Sequence, residues 1–389
     1  MLEIERPVRV GLSGTGFIAK GLARLLAAQS HRYSISGFLT GRDLGSSSFP
    51  FSGIPIFTDA AELAERSDLV VECSGHVGRG ARVATEVLSR AKPLVTLNAE
   101  FQVTLGAAFA HSNLITEAQG DQPGSLAALR EEALAMGFRP LVFASQKGFL
   151  NHDPNLADMV YWAGKQGISV ASTVAFTDGT KVNIEQALVA NGLSAEIATQ
   201  GMIGPKAATI AEGGDALARI ALERGAPLAD FVLQPGGRGE IFVVAEHPGQ
   251  PEHLPYYKLG DGPFFVIERP YHLGHYEVPL TIERVMDGRP PLLNAGTSPR
   301  FSVAAIAKHD LPSGTRIDRA IGSFEFRGEA VAIVDHPEHL PIGMIERCVL
   351  VRPLERGQIA TWADVELSDG FAVDLAQHIY VPSIPSMAV

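Results

Sequence analysis

The stretch "TDGTKVNIEQ", Thr177 to Gln186, sets Asp178, Lys181, Asn183 and Glu185 within eight residues around Gly179. These side chains suit proton transfer and carbonyl chemistry. Carboxylates move protons or hold a divalent ion, and an ammonium neutralises a developing enolate or grips a phosphate. The apolar run before them, "GISVASTVAF", reads as a strand, which would place the polar group at a strand's C-terminal end. In extended chain Lys181 and Asn183 share a face, with Asp178 and Glu185 on either side of a small polar substrate. The competing reading is a solvated turn leading into a helix, with Glu185 in the first helical turn, where the dipole favours an acid.

A second group of candidates lies in "ERPYHLGHYEVP": Arg269, His272, His275 and Glu277. An H-x-x-H pair binds zinc when a helix presents both rings, but Pro270, Gly274 and Pro279 oppose a helix. Arg269 and His272 therefore read as loop residues for a phosphate or a carbonyl. Glu277 joins Asp178 and Glu185 as a candidate metal carboxylate. Lys147, in "SQKGF", is a further candidate for the pocket. The repeated "EHLP" segments read as proline turns. Ser13 lacks the G-x-S-x-G setting of a serine hydrolase.

These residues need a scaffold, and the N-terminal part supplies one. "VRVGLSGTGFIAKGLARLLAAQ" reads as strand, glycine turn and helix. Gly14, Thr15, Gly16, Phe17 and Ile18, followed by Ala19, fit G-x-G-x-x-[G/A]. In that pattern the glycines let backbone approach a pyrophosphate at a helix N-terminus. Further apolar strands follow in "YSISGFLTG", "SDLVVECSG", "KPLVTLN", "NLITEA" and "RPLVFAS", with helical periodicity between Gly80 and Arg90 and between Gly124 and Gly137. The alternation predicts a doubly wound parallel sheet over residues 1–150. Thr40 and Arg42 end the second strand where NAD-binding folds usually carry an acid, which favours the 2′-phosphate of NADPH, although Asp43 could still meet a ribose. Ser74, Gly75 and His76 in "CSGHVG", and Asn98 after the next strand, fall where cofactor is expected.

An α+β catalytic and dimerisation domain is expected over 151–298. It contains a helix at "NIEQALVANGL" and antiparallel strands in "GEIFVVAEHP", "YYKLGDGPFFVIERP" and "LTIERVMDG". The segment Arg289 to Gly296 reads as a linker. A small β-rich unit is expected over 299–389. With 46% hydrophobic and 19% charged residues the chain buries large cores. A net charge of −11 argues against a nucleic-acid partner but leaves room for a local basic pocket. Cys73 and Cys348 make no disulfide framework, and no secretory leader or apolar run of about 18 residues stands out. A cytoplasmic protein with no membrane partner, forming a homodimer or larger homo-oligomer, is expected.

Together "GLSGTGFIAKG", "VVECSG", "LVTLNAEF" and "FASQKGFLN" resemble the homoserine-dehydrogenase-like oxidoreductases. Those enzymes usually carry a lysine in T-A-N-K, whereas this chain has Thr96, Leu97, Asn98 and Ala99. Residues 301 to about 370 are similar to the SAF β-clip module. The whole order, with "TDGTKVNIEQ" and "ERPYHLGHYEVP", resembles the deoxyxylulose-5-phosphate reductoisomerase-like family of the methylerythritol phosphate route to isoprenoids. The resemblance implies NADPH, Mg²⁺ or Mn²⁺, and a small phosphorylated sugar as substrate. Lys181 would stabilise the enediolate, and Asp178, Glu185 and Glu277 would hold metal or move protons. Asn183, Arg269 and His272 would bind the substrate. An NAD(P)-dependent dehydrogenase of a homoserine-like or sugar-acid substrate, and a non-catalytic carbohydrate- or assembly-binding protein, are the other readings.

Overall fold

The computed structural model describes residues 6–42 and 49–380. The first layer contains β1 (Val8–Ser13), α1 (Phe17–Ala28), β2 (Tyr33–Leu39), β3 (Ile56–Phe57), α2 (Ala60–Arg66), β4 (Leu69–Glu72), α3 (Val77–Leu88), β5 (Leu94–Thr96), α4 (Ala99–Leu105) and β6 (Ile115–Glu117). Its six strands are all parallel, in the order β3-β2-β1-β4-β5-β6. The order reverses between β1 and β4, the switch point at which doubly wound sheets bind ligands. Strand β4 is buried along its whole length, because helices cover both faces of a parallel sheet. Helix α1 turns Ala19, Leu22, Ala23 and Leu26 to the sheet, the i, i+3, i+4, i+7 stripe of an amphipathic helix.

The middle of the chain forms α5 (Gln122–Ala135), β7 (Arg139–Lys147), α6 (Leu156–Gln166), α7 (Val170–Thr177), α8 (Thr180–Gly192), α9 (Ile210–Arg224), β8 (Leu228–Leu233), β9 (Ile241–Glu246), β10 (Phe265–Arg269) and α10 (Val278–Met286). The second sheet runs β10-β9-β7-β8, with β7 parallel to β8 and antiparallel to β9. Four expectations are corrected. "RPLVFAS" does not extend the first sheet. The β6 edge is already occupied by the segment at Leu293, whose carbonyl accepts from Glu117 N at 2.7 Å, and β7 pairs elsewhere. The segment 289–296 is accordingly packed, with Leu292 and Leu293 buried. "LTIERVMDG" belongs to helix α10, whose Val278 and Ile282 join the core under the first sheet. Pro279 sits in its first turn, where the missing N–H costs little.

The fourth correction concerns the site itself. "GISVASTVAF" contributes helix α7, not a strand, and the Ser169 side chain caps it by accepting from Ser172 N at 3.0 Å. The β-branched residues favour a strand locally, but Thr173, Val174 and Ala175 are buried within one turn of the helix, and packing outweighs propensity.

The last part is β-rich: β11 (Phe301–Ala307), β12 (Arg316–Arg319), β13 (Phe326–Ala332), β14 (Glu346–Leu350), β15 (Val365–Glu366) and a closing helix α11 (Gly370–Tyr380). Two small antiparallel sheets, β11-β13 and β12-β14-β15, form it, and single bridges from Ile306 to Ile359 and from Leu311 to Leu354 tie in the segment 354–359. The fold is thus α/β, with a doubly wound sheet, a second mixed sheet and a β-rich end. No helix among the described residues is long and apolar enough to cross a membrane.

Candidate functional site

The β1–α1 turn builds a recess at the switch point. Gly14 sits at φ 120°, and a Cβ there would lie 3.0 Å from the Cys73 carbonyl, so only glycine lets the turn approach the β4 end so closely. Gly16 caps α1, and no acid occupies the first turn, which leaves the helix dipole open to an anion. Gly14, Thr15, Gly16, Thr40, Arg42 and Ser74 line this recess together, joined by His76 and Arg79. Phe17 and Ile18 face another way: the Phe17 ring meets His275 edge-on at 5.8 Å, and Ile18 packs towards Gly274. Gly75 (φ 67°) gives its carbonyl to Arg319 of β12. Asn98 is fully buried. Its side chain caps α4 at Phe101 N and donates to Glu72 at 3.0 Å, so that amide is committed to structure. Asp43 lies outside the described residues.

Helix α8 decides the fate of "TDGTKVNIEQ". Lys181 and Glu185 are four residues apart and share a face, whereas Asn183 is turned away from them. Lys181 Nζ lies 3.0 Å from Glu100 Oε1, at the start of α4, and 3.8 Å from Glu185 Oε1. Lys147 Nζ, at the end of β7, lies 3.7 Å from Glu185 Oε2 and donates to Gln122 Oε1 at 3.1 Å. A carboxylate is therefore held between two ammonium groups. Burial pushes the Glu185 carboxyl up from its ordinary value, and the charges of Lys147, Lys181 and His272 only partly oppose this. Burial would lower Lys181, but Glu100, Asp121 and Glu185 outweigh it and keep the ammonium charged. Burial raises Glu100, yet the Lys181 charge brings it below the usual range. Burial and the neighbouring Asp121 push Glu117 well up. Gln122 Nε2 and Glu185 Oε2 are buried without hydrogen-bond partners, as expected where another molecule completes the network.

Asp178, which ends α7, and Asn183, on the opposite face of α8, have structural partners. Asp178 Oδ2 lies 2.7 Å from Lys308 Nζ, both side chains being shut from solvent, and Asp178 Oδ1 accepts from Thr180 N at 2.9 Å. Asn183 Oδ1 accepts from Ala330 N of β13 at 2.8 Å, and its Nδ2 donates to Gly179 O. Asp178 and Asn183 thus anchor the β-rich unit and do not join Lys181, which corrects the expected catalytic group. Arg269 pairs with Glu132 at 2.6 Å and lies 3.6 Å from Glu277. Glu277 Oε1 in turn accepts from Leu273 N at 2.6 Å and holds its own loop. The expected metal set of Asp178, Glu185 and Glu277 is not assembled, and no three His, Cys, Asp or Glu side chains form a metal-holding group among the described residues.

Glu100, Glu117, Asp121, Gln122 and Arg79 join these sites without standing among the candidates that residue type and spacing single out. Glu117 and Asp121 could have been found at the end of the strand "NLITEA", where a parallel sheet presents ligands. Glu100 reads locally as an ordinary acid in a helix's first turn. The loop 272–276 reaches the group because Gly274 N donates to Gly120 O at 2.9 Å, a backbone approach so close that a Cβ on Gly120 would overlap the Gly274 carbonyl. Arg319 connects the two parts of the site, donating to Gly75 O beside the nucleotide recess while its charge acts on Glu100.

The fold and this geometry define a class: a dinucleotide-type sheet whose switch point opens beside a buried group of acids and amines. Residues 120–278 match the family model described as the oxidoreductase DRL catalytic domain, which supports an oxidoreductase. That match corrects the reductoisomerase expectation. It is to an oxidoreductase catalytic domain, and the rearrangement, the isoprenoid route and the divalent metal drawn from that resemblance have no support in it. No curated protein matches the chain. Solved structures similar in part include a dihydrodipicolinate reductase from Paenisporosarcina (14% identity, 72% of this chain and 95% of that one, TM-score 0.37). Others are a UDP-N-acetylglucosamine 3-dehydrogenase from Acidithiobacillus ferrooxidans (12%, 74% and 92%, 0.42) and a probable dehydrogenase from Thermotoga maritima (13%, 74% and 91%, 0.41). Likenesses this distant say nothing of a substrate.

Proposed function

We propose that the chain is an NAD(P)-dependent oxidoreductase that interconverts an alcohol and a carbonyl on a small polar substrate of the homoserine or sugar-acid kind, with NADPH as the preferred nucleotide. The observation that carries this reading is the buried group of Glu100, Lys181 and Glu185, with Arg319 donating to Gly75 O beside the glycine-turn recess and lowering Glu100 through its charge. The recess suits a dinucleotide: Gly14 leaves a cradle that a Cβ would fill, and the α1 N-terminus beside it has no acid of its own. Arg42 and Arg79 line it where a ribose 2′-phosphate would lie. When bound, the nicotinamide supplies or accepts a hydride.

The chain's own residues handle the proton and the charge. Lys181, kept charged, donates to the substrate oxygen and stabilises its alkoxide character. Glu185, raised towards neutrality and with Oε2 unpartnered, takes the hydroxyl proton in oxidation and returns it in reduction. Lys147 and Gln122 orient a carboxylate or hydroxyl of the substrate. The test is a thermal shift with NADPH, NADH and no nucleotide, followed by oxidation of homoserine and a set of sugar acids with NADP⁺. A melting temperature unmoved by both nucleotides sinks the reading.

A further inference from the structure

A cleft of about 790 Å³ adjoins the glycine-turn recess and shares Thr40, His76 and Arg79 with it. One wall belongs to the doubly wound unit, from the end of β2, the start of α2 and the outer face of α3. The other comes from the β-rich end: Glu346, Arg347, Ser368, Asp369 and Phe371. Two features hold the walls together. Arg82 of α3 makes two hydrogen bonds to Asp369, at 2.9 and 2.7 Å, and its guanidinium lies over the Phe371 ring at 5.1 Å. Glu346 Oε1 lies 3.4 Å from His76 Nδ1 and 3.9 Å from Arg319 Nε.

These contacts decide the charge of the cleft. Every acid that lines it is already engaged: Asp369 with Arg82, Glu346 with His76 and Arg319, Glu86 with Arg90 at 2.7 Å, and Asp59 with the backbone of α2 at 2.8 Å. Arg79 and Arg347 line opposite walls, and neither makes an ion pair among the described residues. In a chain of net charge −11, this leaves two guanidinium groups on the cleft without an ionic partner, with Asp59 the one lining acid that has no cation of its own. Arg347 also has a left-handed backbone, φ 51°, a conformation that glycine adopts more readily. An arginine kept in a strained position at the lip of a cleft directs attention to its side chain.

We infer that Arg347 of the β-rich unit completes the nucleotide site, facing Arg79 across the cleft so that the two guanidinium groups clamp the 2′-phosphate of the adenosine ribose. This rests on the nucleotide-binding reading above and extends it: preference for the phosphorylated nucleotide is shared between two units of the chain. Planar guanidinium groups suit a phosphate because each offers paired donors to its oxygens.

The test uses the full chain and titrates 2′,5′-ADP and 5′-AMP by calorimetry. Wild type is expected to bind 2′,5′-ADP more tightly. Arg347→Gln should weaken 2′,5′-ADP by about ten-fold, the scale of one charge-assisted pair, and leave 5′-AMP within about two-fold. Arg347→Gly removes the left-handed strain, so it should melt at or above the wild-type temperature while losing the same preference. Equal effects on both nucleotides, or none, overturn the inference while Arg42→Gln still tests the general reading. Failure of wild type to bind either nucleotide overturns both.

Discussion

Lys308 and Asp178 form an ion pair at 2.7 Å inside the joint between the β-rich unit and helix α8, with both side chains closed to solvent. Lys308 Nζ also donates to Ser323 O at 2.6 Å, so the ammonium is tied to its own unit as well. The pair turns Asp178, on sequence grounds a candidate for metal or proton chemistry, into a structural anchor.

Breaking that anchor on one side should be costly. Lys308→Met leaves a buried carboxylate without its partner and is expected to lower stability by about 3–5 kcal/mol. Urea unfolding of the variant gives the measurement. Asp178→Asn with Lys308→Met should recover much of the loss, and a double variant no better than the single one would remove the pair from the account.

Lys181→Met removes the donor placed for the substrate oxygen. The turnover number is expected to fall by about 10²–10³, the range for loss of one preorganised donor, with little change in NADPH affinity. Steady-state kinetics and nucleotide titration, run on the same preparation, separate the two effects. Turnover close to wild type would remove Lys181 from the chemistry.

Glu185 carries the pH dependence. Its carboxyl is raised above the ordinary value of 4.5 by burial, with Lys147 and Lys181 opposing. As the proton acceptor in alcohol oxidation it works ionised, so the oxidation rate should rise with pH through its elevated pKa, and the reduction rate should fall over the same interval. Glu185→Gln should abolish that limb in both directions. An acidic limb that survives in the variant would move the proton-transfer role to another residue.

Gly120→Ala tests the docking of the 272–276 loop. A Cβ there would lie 1.9 Å from the Gly274 carbonyl, and the residue sits at φ 99°. The loop must move, taking His272 from Glu185. Faster proteolytic cleavage within 270–277 and a lower kcat/KM are expected, with nucleotide binding kept. Unchanged cleavage and kinetics would show that the loop does not shape the site.

The amino-terminal sheet was readable from the chain because its signals are local. A strand, two glycines and an i, i+3, i+4 apolar stripe lie within about 20 residues, and the backbone at Gly14 admits little else. The helix at "NIEQALVANGL" was legible for the same reason, but it begins at Thr180, where the extended reading set Lys181 and Asn183 on one face. The segment before it was not. "GISVASTVAF" is rich in β-branched residues, and its helical state depends on what it packs against.

Sequence alone determined that a nucleotide-type turn is followed, far along the chain, by a lysine and a carboxylate four residues apart. It also determined the β-rich end. Only the tertiary structure decided which neighbours those side chains meet. A helix turns about 100° per residue, so Lys181 and Glu185 share a face that meets Glu100 and Lys147, while Asn183 is turned to β13 and Asp178, at the end of α7, meets Lys308. Glu100, 81 residues before Lys181, and Arg347, opposite Arg79, acquire their places from the packing of whole layers. Spacing along the chain sets which residues share a face, and packing between units sets what that face meets.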